Sequence, residues 1–268
     1  MPRKKNMKIE NRYGKPWERY EYVLALNLYM KMPFGKMYRS NKDIIELANL
    51  MKRTPDSVAM RLVNFASLDP VLHSRNIKGL PGGKDQCKPY WEEFCNDREA
   101  LIFESERILA EIQATSIEDK YRDVLNINAD LQGEMKMREI KTRVNQNVFR
   151  QMILSIYDNR CALTGINIPD LLLASHIKPW AEDSKNRLNP KNGICLSALY
   201  DKAFDSGLIA FDGHYRLMLS QRLKEHCNED YYQRYFGSVE GRELHFPYED
   251  YKPDLTFLEY HCDCIFQR

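Results

Sequence analysis

The sequence predicts an α+β protein: a mostly helical N-terminal module, a linker, and a C-terminal domain in which short strands meet a helix. Three observations carry that expectation. Apolar residues recur at helical spacing in several segments before Gln113 and again from Met135 to Tyr157. Between them, Ala114 to Gln132 is polar, acidic and poorly periodic. Beyond Arg160 the pattern changes to short apolar runs set apart by turn-forming residues. The expected divisions are a module at 1–113, a linker at 114–134 and a second domain at 135–268.

A chain of 268 residues can bury one large core or two modest ones. No apolar run approaches the length of a membrane span, and Met1-Pro-Arg-Lys-Lys-Asn has no apolar stretch behind it, so neither a membrane partner nor a signal peptide is expected. Seven cysteines, odd in number and without a CxxC pair, read as reduced thiols in a cytoplasmic protein. The net charge of +2 hides an asymmetry: residues 1–80 carry 16 Lys and Arg against 7 Asp and Glu. Residues 81–140 carry 8 against 14, and the remainder is almost balanced at 16 against 17. A cationic surplus at one end is the footprint of a phosphate-binding module, or else a solvated basic face with a basic tail.

Within the first module, Trp17 to Met32 has Tyr20, Val23, Leu24 and Leu28 at helical spacing. Asn41 is placed to cap a helix over Asp43–Met51. Thr54 and Pro55 form an N-cap and first-turn pair for a helix over Asp56–Phe65. Two short helices joined by a tight turn have a helix-turn-helix outline, with Arg53 flanking the second and Arg61 on it as candidate DNA contacts. A loop at Gly79–Lys84 and one long helix from Tyr90 to Gln113 complete the module.

The chemistry lies further on. Leu171 to Ile177 reads as a short strand delivering His176 to the head of a loop. Asn192-Gly193 reads as a tight turn that starts a second strand or leads straight into a helix. Asp201 and Asp205 stand four apart on that helix, so their carboxylates share a face. Imidazole has the intrinsic pKa to take a proton from water near neutral pH, and two carboxylates are hard ligands suited to Mg²⁺ or Mn²⁺. Such a group suits phosphodiester hydrolysis.

Four segments, Cys161-x-x-Thr-Gly165, Ala174-Ser-His-Ile-Lys-Pro-Trp180, Asn192-Gly-Ile-Cys-Leu196 and Asp201-Lys-Ala-Phe-Asp-x-Gly-Leu-Ile209, together resemble the HNH (ββα-metal) endonucleases of bacterial restriction and defence proteins. The likeness covers about Arg143 to Phe211 and continues weakly over Tyr260–Phe266. It implies a ββα-metal fold for the C-terminal domain, His176 as general base and Asn192 as the residue that braces the loop. It also implies one Mg²⁺ or Mn²⁺ held by Asp201 and Asp205, and DNA cut to a 5′-phosphate. This chain departs from the family at Ser175, where many members have a ligand, and at Tyr200-Asp201, where the third motif letter is not histidine. Thr164 stands where a CxxC pair would need its second cysteine, so no structural zinc is expected.

Arg143, Gln146 and Arg150 on the preceding helix, with Lys178 and Arg187 beside the loop, are candidate phosphate contacts. The expected function is thus a metal-dependent DNA endonuclease in restriction or anti-phage defence, with a homodimer left open. The alternatives are a non-catalytic DNA-binding regulator with a decayed HNH unit, and an RNase on the same scaffold.

Overall fold

The computed structural model describes residues 11–32, 34–125 and 132–267, so the basic tail and part of the expected linker lie outside the described residues. The chain divides into two compact units, 1–145 and 146–268, with the division inside a long helix.

The first unit is helical: α1 (Arg19–Lys31), α2 (Lys42–Met51), α3 (Pro55–Ala66), α4 (Pro70–Ser74), α5 (Lys84–Phe94), α6 (Arg98–Ile112), α7 (Ile117–Lys120) and the start of α8 (Gly133–Ile156). Local chemistry sets the ends of α2 and α3. The Asn41 side chain accepts the Asp43 N–H, and Lys52 closes α2 in the left-handed conformation. Thr54 then accepts the Ser57 N–H, with Pro55 leading α3. The single long helix expected over Tyr90–Gln113 is two helices, because the Asp97 carboxylate accepts the Ala100 N–H and starts α6 afresh. The core gathers Val23, Leu26, Ile44, Met51, Leu62, Phe65 and Leu101, all at or near zero exposure. Within 114–134, Ile117 is buried, and the buried Tyr121 hydroxyl donates to Glu106.

In the second unit, β1 (Leu172–His176) and β2 (Gly193–Ser197) pair antiparallel, with His176 opposite Gly193 and Ser175 opposite Ile194. Helix α9 (Ala198–Asp205) follows β2 directly and packs on both strands. A second ribbon pairs β3 (Ile209–Phe211) with β4 (Leu217–Leu219). Helices α10 (Gln221–Lys224), α11 (Asp230–Tyr235) and α12 (Leu255–Cys264) complete the unit.

The loop between β1 and β2 spans 177–192 and closes on a tight turn, Pro190–Asn192, that starts β2 at Gly193 as expected from the sequence. Gly193 has extended backbone, φ −142°. Its glycine identity answers a close approach instead: a Cβ there would lie 2.6 Å from Ile153 Cδ1 and 2.6 Å from Phe149 Cζ, both on α8. The missing side chain opens the space that the Phe149 ring fills.

Candidate active site

His176 ends β1, and three neighbours fix its ring. Phe149 stacks on it, centroids 3.8 Å apart at 17°, and the Trp180 edge meets it at 5.4 Å and 87°. The imidazole Nε2 lies 2.8 Å from the Arg187 carbonyl oxygen. A carbonyl only accepts, so Nε2 carries the hydrogen and Nδ1 keeps its lone pair. Among the described residues the ring's hydrogen bond is the one at Nε2, and Nδ1 makes none. Burial depresses the pKa below the usual histidine value, outweighing the opposing pull of the Arg187 carbonyl. The neutral ring is therefore the resting form.

Asn192 is buried at 1% exposure and acts as a three-way brace. Its Oδ1 accepts the Lys178 N–H at 2.8 Å, and its Nδ2 donates to the carbonyls of Lys178 and Asn186 at 3.1 and 3.2 Å. With Asn189 capping the turn that follows, these bonds set the path of the loop that delivers the Arg187 carbonyl to His176.

Successive side chains of a strand leave opposite faces, so Ser175 and His176 point apart. The Ser175 face carries α9: the Ser175 hydroxyl donates to Asp201 Oδ1 at 2.5 Å. No hydrogen bond or ion pair links His176 to Asp201 or Asp205. Asp205, one turn after Asp201, forms none at all with the described residues. Its carboxyl is raised above the ordinary range, first by burial and second by the negative charge of Asp201; its side chain is exposed by area, so that desolvation is partial. Tyr200 takes no part in this group, being buried with its hydroxyl on the Tyr235 carbonyl and its ring edge-on to Phe236.

The candidate phosphate contacts divide sharply. Arg53 is buried, and its five donors are all taken: two by Glu21 at 2.5 and 2.9 Å, three by the carbonyls of Arg12, Lys15 and Pro16. Nothing remains for a phosphate, and its assignment as a DNA contact is corrected. Arg61 is half-buried over the Trp17 and Tyr22 rings, bonded to Gln86 and Cys87, so it too holds the helical core together. Arg150 donates to the carbonyls of Leu172 and Pro169, tying the entrance of β1 to α8. Lys178 pairs with Asp183 at 3.4 Å and lies over the Tyr260 ring. The Arg187 Nε donates to the Trp180 carbonyl. Arg143 is exposed and bonded to Glu139 one turn away, and Gln146 is half-buried.

Sequence reasoning missed Phe149 and Trp180, the aromatic bracket round His176. Phe149 carried no signal, since an apolar residue on a helix face reads as core. Ser175 was visible only as a missing ligand and not as the partner of Asp201.

The family model for HNH endonucleases matches residues 161–212, the span from Cys161 through both strands and α9 to the turn after β3. That match supports an HNH-family nuclease domain in the C-terminal half, and it implies a nucleic-acid substrate. No curated protein gives a significant match to the chain. HNH nucleases generally use a divalent metal ion. Among the described residues no three His, Cys, Asp or Glu cluster as a metal cage. Two carboxylates one turn apart, the second destabilised by the charge of the first, nevertheless fit a hard cation that keeps most of its own waters. No described helix is long and apolar enough to cross a membrane.

Proposed function

We propose that the protein is a metal-dependent DNA endonuclease in which His176 is the general base. The observation that carries this reading is the ring itself: Nε2 is tied to the Arg187 carbonyl, Nδ1 keeps a lone pair without a partner, and burial keeps the imidazole neutral. Held between Phe149 and Trp180, the ring has one orientation in which to accept a proton from water. That water attacks phosphorus in line with the departing oxygen. Asp201 and Asp205, on the Ser175 face of β1, would hold one Mg²⁺ or Mn²⁺, which would supply neutralisation of charge on the phosphoryl group and the leaving oxygen. Ser175 steadies Asp201, and Asn192 keeps the loop, and with it the Arg187 carbonyl, in place. Restriction or anti-phage defence is the setting that the family likeness favours.

A second reading, a DNA-binding regulator with a decayed HNH unit, draws on the Ser175–Asp201 bond and the lack of a third acidic or histidine ligand among the described residues. One assay separates the two. Wild-type protein and His176→Ala are incubated with supercoiled plasmid and, side by side, with RNA, with Mg²⁺, with Mn²⁺ and with chelator. Nicking that needs the cation and His176 supports the nuclease. Plasmid binding with no cleavage under any condition supports the regulator, and cleavage of RNA alone redirects the substrate.

A further inference from the structure

Helix α9 ends at Asp205, and its last turn is held from outside the helix. Its own closure is ordinary: Gly207 at φ +67° donates to the Phe204 carbonyl at 2.9 Å, and Leu208 donates to Ala203 at 2.9 Å. The C-terminal segment adds three further bonds, one to Phe204 in the last turn and two to Ser206 and Gly207 just beyond it. His261 Nε2, on α12, meets the Phe204 oxygen at 3.1 Å. Gln267 Nε2 donates to Ser206 at 2.9 Å, and the Gln267 backbone N–H donates to Gly207 at 2.9 Å. The His261 ring also lies flat on the Phe204 ring, 3.7 Å away at 1°. The tail presses so closely that a Cβ on Gly207 would sit 2.1 Å from the Ile265 carbonyl oxygen.

This clasp comes at a cost. His261 is 1% exposed, and with Nε2 donating to Phe204 its Nδ1 is left buried without a partner. A buried acceptor left unpaired loses its hydration without compensation. Phenylalanine would fill the same stack without that cost, so the donor to Phe204 is the feature that needs a reason. Phe204 lies immediately before Asp205, within the turn that separates the two carboxylates.

We infer that His261 and Gln267 are positioning residues that lock the last turn of α9 and so aim the Asp205 carboxylate at the cation. This rests on the metal role of Asp205 proposed above. The fold needs the ring stack, whereas the site needs the Nε2 donor, and substitution separates them.

The experiment uses the full chain, manganese alone as probe, and four variants. His261→Phe keeps the stack and loses the donor, His261→Gln restores an amide donor, Gln267→Ala removes the outer half of the clasp, and Asp205→Asn removes the carboxylate. Mn²⁺ binding is read by electron paramagnetic resonance, and amide exchange over 201–208 is read by mass spectrometry on metal-free protein. The kcat and KM for plasmid are measured well below each melting temperature. His261→Phe is expected to weaken Mn²⁺ binding roughly 10-fold or more, to speed exchange at the end of α9, and to lower kcat with KM unchanged. His261→Gln recovers most of this, and exposed Gln267→Ala shows a smaller effect in the same direction. If His261→Phe lowers only the melting temperature, with Mn²⁺ binding and exchange as in wild type, the clasp is structural and the inference falls. If it does not fold, unchanged Mn²⁺ binding and exchange in Gln267→Ala overturn the inference in its place. If Asp205→Asn binds Mn²⁺ as tightly as wild type, the metal assignment itself falls; altered exchange in His261→Phe then distinguishes that failure from failure of the clasp.

Discussion

Two charged pairs, Glu21 with Arg53 in the first unit and Asp201 with Asp205 in the second, are treated in opposite ways. In the helical unit, Glu21 and Arg53 are almost fully buried, and every guanidinium donor has an acceptor in Glu21 or a nearby carbonyl. In the second unit, Asp201 accepts one serine hydroxyl and Asp205 accepts nothing among the described residues. Both groups read from the sequence as contacts for something outside the chain. A charge whose partners are complete is part of the fold, and removing either member strands the other. A carboxylate such as Asp205, raised by burial and then by the charge of Asp201, and without an ion pair among the described residues, retains capacity for a cation. Capacity left over, more than charge itself, marks the candidate site.

The largest effect that would break this contrast is at His176. His176→Ala is expected to lower cleavage by on the order of 10²–10⁴ while leaving DNA affinity, measured by fluorescence anisotropy, near wild type. Because burial lowers the His176 pKa, the acid limb of kcat/KM should fall below pH ~6.5, the free imidazole value. Normal turnover in the variant would remove the residue from the chemistry.

Arg53→Ala tests the other side. The buried Glu21 carboxylate would keep only Arg12, at 3.3 Å, as its cation, so the loss in denaturant unfolding should stay below the about 3–5 kcal/mol of a fully stranded charge. The salt slope of DNA affinity should stay unchanged, since Arg53 has no donor to offer a phosphate. A flatter slope at intact stability would restore Arg53 as a DNA contact.

His261 sharpens the comparison through pH. Its folded pKa is pushed down to about 4 by burial, against about 6.5 in the unfolded chain. The unfolded state therefore binds the proton first, and stability falls as pH drops from 6.5 towards 4, by about 3 kcal/mol if no other group titrates there. His261→Phe should melt with a shallower pH dependence across that window. Equal dependence in the two proteins would assign the acid sensitivity elsewhere.

The smallest effect is at Arg143, whose partner is Glu139 on an exposed helix face. Arg143→Ala should change stability by less than about 0.5 kcal/mol. If Arg143 contacts a phosphate, the log–log salt slope falls by roughly 0.9; if the slope is unmoved, the residue is solvent-facing only.

Much of the local structure was legible. The caps at Asn41 and Thr54 and the proline at 55 act within four residues, and both helices begin where those residues say. The break before α6 was hidden because apolar periodicity runs through it, while the Asp97 cap reads as one more acidic residue. The order of β1, β2 and α9 was legible from short apolar runs and turn residues. The 16-residue loop that separates the strands, and the meaning of Gly193 as clearance for Phe149, were not.

By itself the sequence determined the residue types and their spacing: a histidine closing a strand, an asparagine 16 residues on, two carboxylates one helical turn apart. It determined the caps as well, because a helix end is satisfied by side chains a few positions away. The tertiary structure decided which charged and polar groups are spent. Arg53 meets Glu21 across 32 residues, Ser175 meets Asp201 across 26, and His261 meets Phe204 across 57. A hydrogen bond needs its partner within about 3 Å in the right direction. Across such separations only the packed core sets that distance, so no local pattern shows whether a donor is already taken.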